Sequence, residues 1–163
     1  MTLVDDARFR QVLGRYPTGV SVITSREPDG TPVSMVVGTF TAVSLQPPLV
    51  GFLPDHGSTS WPRIRATGRF AVSVLAADQQ DVCRMIVAKH PGRFDLLEWA
   101  DSPSGCPLLV GAAAWVDCVI ESVQAAGDHD VVLGRVLDLD AGPTSSGPLV
   151  FLGGAYAEAT PTL

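Results

Sequence analysis

Residues 30–62 constrain the fold most strongly, because three short runs of strand-forming residues follow one another there with only turns between them. The runs are rich in Val, Thr and Phe and cover residues 33–37, 39–45 and 49–53. Such residues prefer pleated, half-buried surfaces, and the Pro-Pro pair at 47–48 marks a corner between the second and third runs. The stretch therefore predicts three neighbouring β-strands.

The segments on either side add further strands and a few helices. Phe9, Val12, Leu13 and Tyr16 recur at i, i+3, i+4 and i+7, which predicts an amphipathic helix over residues 5–16. A Pro-Asp-Gly turn at 28–30 predicts a hairpin between a strand at 19–24 and the central stretch. The later elements that we predict are helix 62–67 ending at Gly68, strand 69–75, helix 77–88, an irregular segment 89–107, a long strand within 108–125, a turn at 126–129, strand 130–139, a loop at 141–148, and strand 149–152 with a polar tail after residue 156.

These elements predict a mainly β fold in one domain over residues 1–163. Many strands at short spacing, with hairpin turns and few helices, favour an antiparallel barrel or sandwich. Strand–helix alternation is missing, which argues against a doubly wound parallel sheet. No Gly-x-Gly-x-x-Gly motif opens a helix, since Gly153 and Gly154 have no helix after them.

The composition narrows the partners and the compartment. The net charge of −6 and the pI near 4.8 argue against nucleic acid and anionic membranes as partners. Cys83, Cys106 and Cys118 have no Cys-x-x-Cys spacing, which favours buried thiols in a reducing compartment. We find no signal sequence and no apolar run of membrane-spanning length, so we expect a cytoplasmic protein.

The polar loop at residues 56–60 is the first candidate for function. It carries Ser58, Thr59 and Ser60 directly before the predicted helix. Hydroxyls and backbone N–H groups at a helix N-terminus suit an anion such as a phosphate. The alternative is that Ser60 caps the helix, with Pro62 at an early helical position.

The Gly-Asp-His sequence at residues 127–129 is the second candidate. His129 could hydrogen-bond a nucleotide or an amide beside a pocket while Asp128 holds the loop. The alternative is an ordinary hairpin turn, because Gly and Asp are common turn residues. The sequence has no Gly-x-Ser-x-Gly motif and no metal-binding spacing of His and Cys, so we predict neither a hydrolase nor a metal site.

Six stretches in a fixed order resemble the flavin reductase-like family, whose fold is the FMN-binding split barrel. In chain order they are FRQVLGRYPTGVSVITS, TFTAVSLQPPLVGF, STSWPRIRATGRFAVSVLAADQ, GCPLL, GDHDVVLGRV and LVFLGGAY. The resemblance covers nearly the full chain. Members of this family are short-chain NAD(P)H:flavin oxidoreductases that often supply reduced flavin to a partner monooxygenase.

The resemblance implies a homodimer of six-stranded antiparallel Greek-key split barrels with a few flanking helices. It implies that hydride passes from NADH or NADPH to FMN or FAD, with His129 on the nicotinamide side. The residues that it implies for flavin binding are Val37, Gly38, Thr39, Phe40, Ser44, Ser58, Thr59, Ser60, Lys89 and Arg93. Such chemistry belongs to the cofactors, while the protein supplies geometry and hydrogen bonds.

The sequence departs from the family pattern at several positions. Val36, Gly38 and Ala42 stand where hydroxyl side chains are expected, and Asp55 stands where Asn is common. Fewer hydrogen bonds imply looser flavin binding, which suits an enzyme that releases flavin as a product. Two alternatives stay open: an oxidoreductase on the same barrel that retains FMN and acts on another substrate, and a non-catalytic ligand-binding protein.

Overall fold

The computed structural model describes residues 4–143 and 145–160. The predicted loop at 141–148 includes Thr144 and the predicted tail includes residues 161–163, and these four positions lie outside the described residues. In chain order the elements are α1 (Asp6–Leu13), β1 (Thr18–Gly19), β2 (Ser21–Arg26), β3 (Pro32–Val37), β4 (Thr41–Leu45), β5 (Pro48–Phe52), α2 (Trp61–Thr67), β6 (Arg69–Val74), a 3-10 turn (Ala77–Gln79), α3 (Gln80–Val87), α4 (Arg93–Leu96), β7 (Trp99–Asp101), β8 (Pro107–Leu109), β9 (Ala114–Ala126), β10 (His129–Ala141), β11 (Leu149–Leu152) and β12 (Ala155–Glu158).

Two predicted hairpins form the frame of the fold. Strands β2 and β3 pair antiparallel across a turn in which Gly30 has φ of 90° and Asp29 accepts a hydrogen bond from the Thr31 amide. Strands β9 and β10 pair antiparallel across the Gly-Asp turn, where Gly127 has φ of 66°. Both turns need a residue that tolerates positive φ, which glycine does at little cost. The long β9–β10 hairpin brings His129 to one end of the sheet.

The principal sheet is an antiparallel barrel that remains split. Among the described residues its seven strands have the order β3-β2-β6-β9-β10-β5-β4, so β3 and β4 are its two edges. Val37 ends β3 and Thr41 begins β4, and a chain of that length spans at most about 14 Å. The two edges therefore approach each other without pairing.

Strand β2 contributes to two cores because its side chains alternate between the faces of the sheet. Ile23 lies in the barrel interior with Phe52, Phe70 and Val132. Val22 lies in an outer core with residues of α3 and β11. Burial on both faces explains why the strand has no polar and apolar alternation in its sequence.

The mainly β class is confirmed, whereas the predicted number of strands in the barrel was too low by one. The strand predicted at 19–24 is divided, and its first part pairs with β11 in a second sheet of order β1-β11-β12. The segment predicted to be irregular at 89–107 contains α4 and β7. The buried carboxylate of Asp117 orders this segment by accepting hydrogen bonds from the Ser102 hydroxyl at 2.9 Å and the Ser104 amide at 2.8 Å.

Helix α1 is shorter than predicted and its apolar residues face solvent. It begins after Asp5, whose carboxylate accepts a hydrogen bond from the Arg8 amide, and it ends at Leu13. Phe9 and Leu13 of the helix, and Tyr16 three residues after its end, are at least half exposed. The helix therefore has the predicted apolar face, but no other described segment of the chain buries that face. Within the described residues, no helix has the length and apolar composition needed to cross a bilayer.

Candidate active site

A cavity of about 520 Å³ lies where the end of β3, the loop after β5 and the end of α3 meet. Its walls combine an apolar part, which includes Val36 and Val37, with a polar part made by the loop hydroxyls. The residues that line it are Ser34, Met35, Val36, Val37, Gly38, Thr39, Leu53, Pro54, Asp55, Gly57, Ser58, Ser60, Ile86, Val87, Lys89 and His129. The two sequence candidates, the polar loop and His129, thus share one cavity.

The polar loop is held in shape by its own side chains. The Asp55 carboxylate accepts a hydrogen bond from the Gly57 amide. The Ser58 hydroxyl accepts from the amides of Ser60 and Trp61 at 3.3 and 3.2 Å. Ser60 is the N-cap residue of α2 by position and Pro62 lies in the first turn, as the capping alternative predicted, but the side chain that makes the capping hydrogen bonds is that of Ser58.

Several donors of the loop nevertheless remain available to a ligand. Within the described part of the chain, the Thr59 amide donates to no protein acceptor. Ser58 and Ser60 both line the cavity. The Lys89 ammonium group donates to the Thr59 hydroxyl and brings a positive charge to the loop. This donor set suits an anionic group, because ammonium and hydroxyl groups both donate to phosphate oxygens.

Lys89 occupies an unfavourable backbone conformation. Its φ is 50°, and it is the one non-glycine residue with positive φ among the described positions. The left-handed region costs about 1–2 kcal/mol for a residue with a Cβ atom. The Lys89 amide donates to the Ile86 carbonyl at 3.0 Å and so ends α3. The His90 amide also donates to the Met85 carbonyl at 3.1 Å, so the left-handed residue belongs to the C-terminal cap of the helix and places the lysine side chain at the cavity wall.

His129 lies between two carboxylates at the cavity. Its Nδ1 is 2.7 Å from an Asp128 carboxylate oxygen, and its Nε2 is 4.0 Å from an Asp55 carboxylate oxygen. An ionised carboxylate can only accept, so Nδ1 carries the hydrogen that Asp128 binds. This hydrogen bond holds the pKa of Asp128 below its usual range. Asp128 thus orients the imidazole ring, a contact that the sequence pattern did not predict.

The structure brings seven of the eleven predicted site residues to the cavity wall, namely Val37, Gly38, Thr39, Ser58, Ser60, Lys89 and His129. Thr59 contacts the site through Lys89. Arg93 lies one residue behind the wall, where its Nε donates to the Ser34 hydroxyl at 3.1 Å.

Phe40 and Ser44 are not brought to the cavity. Phe40 packs against the barrel core, because the chain crosses from one sheet edge to the other at this point. Ser44 lies in β4, where it pairs with Leu49 of β5 beyond a register shift. Among the described residues, neither of these two lines the cavity that holds the other candidates.

Sequence reasoning missed several wall residues. Ser34 and Met35 belong to β3 upstream of the predicted contacts, and Ile86 and Val87 end α3. Ile86 and Val87 could have been predicted from Lys89, because they precede it by three and two residues at the end of a predicted helix. Ser34 gave no such signal, since its position depends on how the strands pair.

A second, more apolar cavity of about 260 Å³ adjoins the first. Val36, Val37, Gly38 and Val87 line both cavities, and Cys83 and Tyr156 line the second one alone. A Cβ atom on Gly38 would lie 2.9 Å from the Thr18 hydroxyl oxygen, so glycine keeps this shared wall open.

Comparison with known proteins shows which family this chain resembles. The family model described as "Flavin reductase like domain" matches residues 13–160. A flavin reductase of Pseudomonas putida is 47% identical over 151 residues, which cover 93% of this chain and 89% of the relative. The HsaB reductase subunit of a flavin-dependent monooxygenase from Rhodococcus jostii is 43% identical over 158 residues, which cover 97% of this chain and 80% of the relative.

A solved structure has the same fold. The NADH:FAD oxidoreductase SgcE6 of Streptomyces globisporus, in complex with NAD and FAD fragments, superposes with a TM-score of 0.89 at 34% identity, covering 99% of this chain and 98% of that one. The match of the family model to most of the chain, together with relatives above 40% identity, establishes that this chain belongs to the flavin reductase-like family.

Proposed function

We propose that this protein is an NAD(P)H-dependent flavin reductase that uses FMN or FAD as a substrate and releases it reduced. The main observation behind this proposal is that the polar loop, the Lys89 ammonium group and His129 all border one cavity. Flavin bound there accepts a hydride at N5 from C4 of the reduced nicotinamide. The family and the names of its members support this reaction.

The cavity fits a flavin mononucleotide portion. Its volume of about 520 Å³ lies in the range of small-molecule sites. Val36, Val37 and Val87 offer an apolar surface to a ring, while Lys89 and the hydroxyls of the loop suit a phosphate. Val37, Gly38, Thr39, Ser58, Thr59, Ser60 and Lys89 are the residues that we assign to flavin binding, with Arg93 in support through Ser34.

The residues of this chain position the reactants and shield them from water. Hydride transfer requires the donor and acceptor rings at reacting distance, and correct placement is itself a large contribution to rate. His129 orients the nicotinamide from the open side of the cavity, with Asp128 fixing the tautomer. The adjoining apolar cavity provides further room beside Gly38.

A partner monooxygenase consumes the reduced flavin in this proposal. HsaB carries the name of a reductase subunit of such an enzyme, and it aligns with 97% of this chain. Looser binding suits the transfer of flavin between proteins, and Asp55 at the cavity weakens the hold on a phosphate through charge repulsion. The three free, buried thiols suit a reducing compartment, so we place the reaction in the cytoplasm.

A second copy of the chain covers the exposed apolar face of α1 in this proposal. Phe9, Leu13 and Tyr16 are 57%, 50% and 70% exposed, and the neighbouring Phe151 is 40% exposed. Exposed apolar clusters of this kind mark interaction surfaces. A homodimer in sedimentation equilibrium that Leu13→Arg dissociates would support this assignment, whereas Leu96→Arg, at an exposed leucine of α4, serves as the control.

The deciding experiment measures consumption of NADH and NADPH by the purified protein, with and without FMN or FAD. Turnover that depends on added flavin supports the reductase. Tight copurification of flavin, with turnover only on another acceptor, supports an oxidoreductase that retains FMN. No consumption and no change of flavin fluorescence on mixing would leave a non-catalytic binding protein.

A further inference from the structure

Asp130 is a buried carboxylate directly behind the cavity, and no step of the reaction uses it. It is only 6% exposed, although it follows His129 in the chain. The indole Nε1 of Trp61 donates to its Oδ2 at 2.8 Å, and the imidazole Nε2 of His56 donates to its Oδ1 at 2.9 Å. Arg65 lies further away, with its guanidinium nitrogen 3.6 Å from Oδ2.

The donors to Asp130 flank the polar loop. His56 stands at the start of the loop and Trp61 at its end, so one carboxylate fixes both ends of residues 56–61. A buried carboxylate that has lost its water must be satisfied by such donors. The Trp61 indole, and after it His56, hold the pKa of Asp130 below its usual range, which agrees with an ionised acceptor.

The main chain continues the same connection. The His56 amide donates to the Asp128 carbonyl at 2.9 Å, and the Asp130 amide donates to the Pro54 carbonyl at 3.0 Å. Asp55 and His129 therefore lie opposite each other in an isolated β-bridge. The start of the polar loop is docked along the start of β10.

We propose that Asp130 is a positioning residue that fixes the polar loop relative to His129. The proposal rests on the proposed function, in which the loop binds the flavin phosphate and His129 orients the nicotinamide. Without the carboxylate, both ends of the loop lose a side-chain anchor, while His129 remains on its hairpin. The polar loop then holds the flavin and His129 holds the nicotinamide, but the distance between the loop and His129 is no longer fixed.

The expected consequence is a loss of both flavin affinity and rate at saturation. A displacement of about 1 Å between reacting groups can cost up to about 100-fold in rate. Because two main-chain hydrogen bonds remain, we expect Asp130→Ala to lower kcat about 10-fold and to raise the flavin Kd about 10-fold. Asp130→Asn should stay within about threefold of wild type, since its amide can accept from Trp61 and donate to a neutral His56.

The experiment compares Asp130→Ala, Asp130→Asn and the control Glu121→Gln. Glu121 accepts hydrogen bonds from Arg135 across the same β9–β10 hairpin, so its substitution perturbs a carboxylate of that hairpin outside the cavity lining. Steady-state kinetics give kcat and KM, flavin fluorescence gives Kd, and hydrogen exchange on the free protein reports the amides of residues 56–60. We expect faster exchange of those amides in Asp130→Ala alone, with the β9–β10 amides unchanged.

Unchanged kcat and Kd in a folded Asp130→Ala variant would overturn the proposal, as would a lower melting temperature with unchanged kcat. If that variant does not fold, Trp61→Phe removes one donor and keeps the aromatic ring, which packs edge-on against Phe52 at 5.6 Å. A smaller change in the same direction is then expected, and no change contradicts the proposal. If wild type reduces no flavin, the proposed function fails, and hydrogen exchange of residues 56–60 still decides the positioning role.

Discussion

The Lys89 ammonium group donates a hydrogen bond to the Thr59 hydroxyl, so a cation from the end of α3 reaches the polar loop after β5. The two residues are thirty positions apart in sequence, and they meet because the loop after β5 and the end of α3 border the same cavity. In the proposed site this pair faces the flavin phosphate.

Lys89→Gln should weaken flavin binding. The variant keeps a donor of similar length but removes the charge, and a hydrogen bond to a charged group contributes about 1.5–3 kcal/mol. We expect the flavin Kd, measured by fluorescence titration, to rise about 10-fold or more at low salt. The matched control is Arg63→Gln, which also removes one positive charge but from a surface pair with Glu27. An equal rise of the flavin Kd in both variants would contradict a specific contact of Lys89 with the flavin and would leave only an effect of net charge.

Lys89→Gly should stabilise the fold while it weakens binding. Glycine adopts a φ of 50° without the cost that a Cβ atom imposes, which is about 1 kcal/mol. Urea denaturation should therefore give a higher free energy of unfolding for Lys89→Gly than for Lys89→Ala. A lower value for the glycine variant would show that the strain assigned to this position is not real.

Asp55→Asn should tighten flavin binding. The asparagine oxygen can still accept from the Gly57 amide, so the loop keeps its turn while the cavity loses a negative charge. The Asp55 carboxylate and the flavin phosphate repel each other, and solvent weakens this repulsion at a partly exposed site. Removing it should lower the flavin Kd about two- to fivefold. Asp81→Asn on the exposed face of α3 is the control, and an unchanged Kd in Asp55→Asn would place the phosphate elsewhere.

His129→Ala should raise the KM for NADH about 10-fold with little effect on folding. The side chain orients the nicotinamide in the proposed site, and the loss of one or two oriented hydrogen bonds has about this effect. His90→Ala is the control, because His90 is exposed in the segment after α3 and does not line the cavity. Steady-state kinetics unchanged from wild type would remove the role assigned to His129.

Alkaline pH should destabilise the protein through Cys118. Burial first, and Asp117 after it, raise the pKa of the Cys118 thiol from about 9 to about 12. The unfolded chain therefore loses this proton at lower pH than the folded protein does, so the stabilisation is complete below about pH 9 and is lost as the pH rises towards 12.

The slope of this loss is about 1.4 kcal/mol per pH unit for one thiol. Urea denaturation of Cys118→Ala should give a shallower fall of the free energy of unfolding between pH 9 and 12. The cavity left by the substitution lowers the stability at every pH, so the slope is the quantity to compare. Parallel curves for the variant and wild type would contradict the shifted pKa.

Local sequence was sufficient for much of the fold. The turn at Gly30 predicted the β2–β3 hairpin, and Gly68, with φ of 74°, ends α2 as predicted. The Gly153–Gly154 pair was an unused signal, because a two-residue glycine turn joins β11 to the unpredicted strand β12. Strand β7 and helix α4 gave little local signal, since the segment is ordered by distant groups such as Asp117.

The candidate site was predictable where it lay in continuous motifs and not where it depended on strand order. Ser58, Ser60 and His129 could be selected from the sequence because each lies in a short polar stretch beside a regular element. The hydrogen bonds to Asp130 could not be predicted from the sequence. His56 and Asp130 are 74 positions apart and meet only after β5 pairs with β10. The structure does not bring Ser44 to the cavity, and the sequence could not show this, because the register of β4 decides where the side chain lies.

Anaerobic mixing of the protein with equal amounts of NADH and flavin tests the central claim most directly. The account predicts that NADH oxidation and the loss of oxidised flavin proceed together in a one-to-one ratio, and that deuterium at the transferred C4 position slows both. Loss of NADH without loss of oxidised flavin, or no reaction of a folded protein that binds flavin, would contradict it.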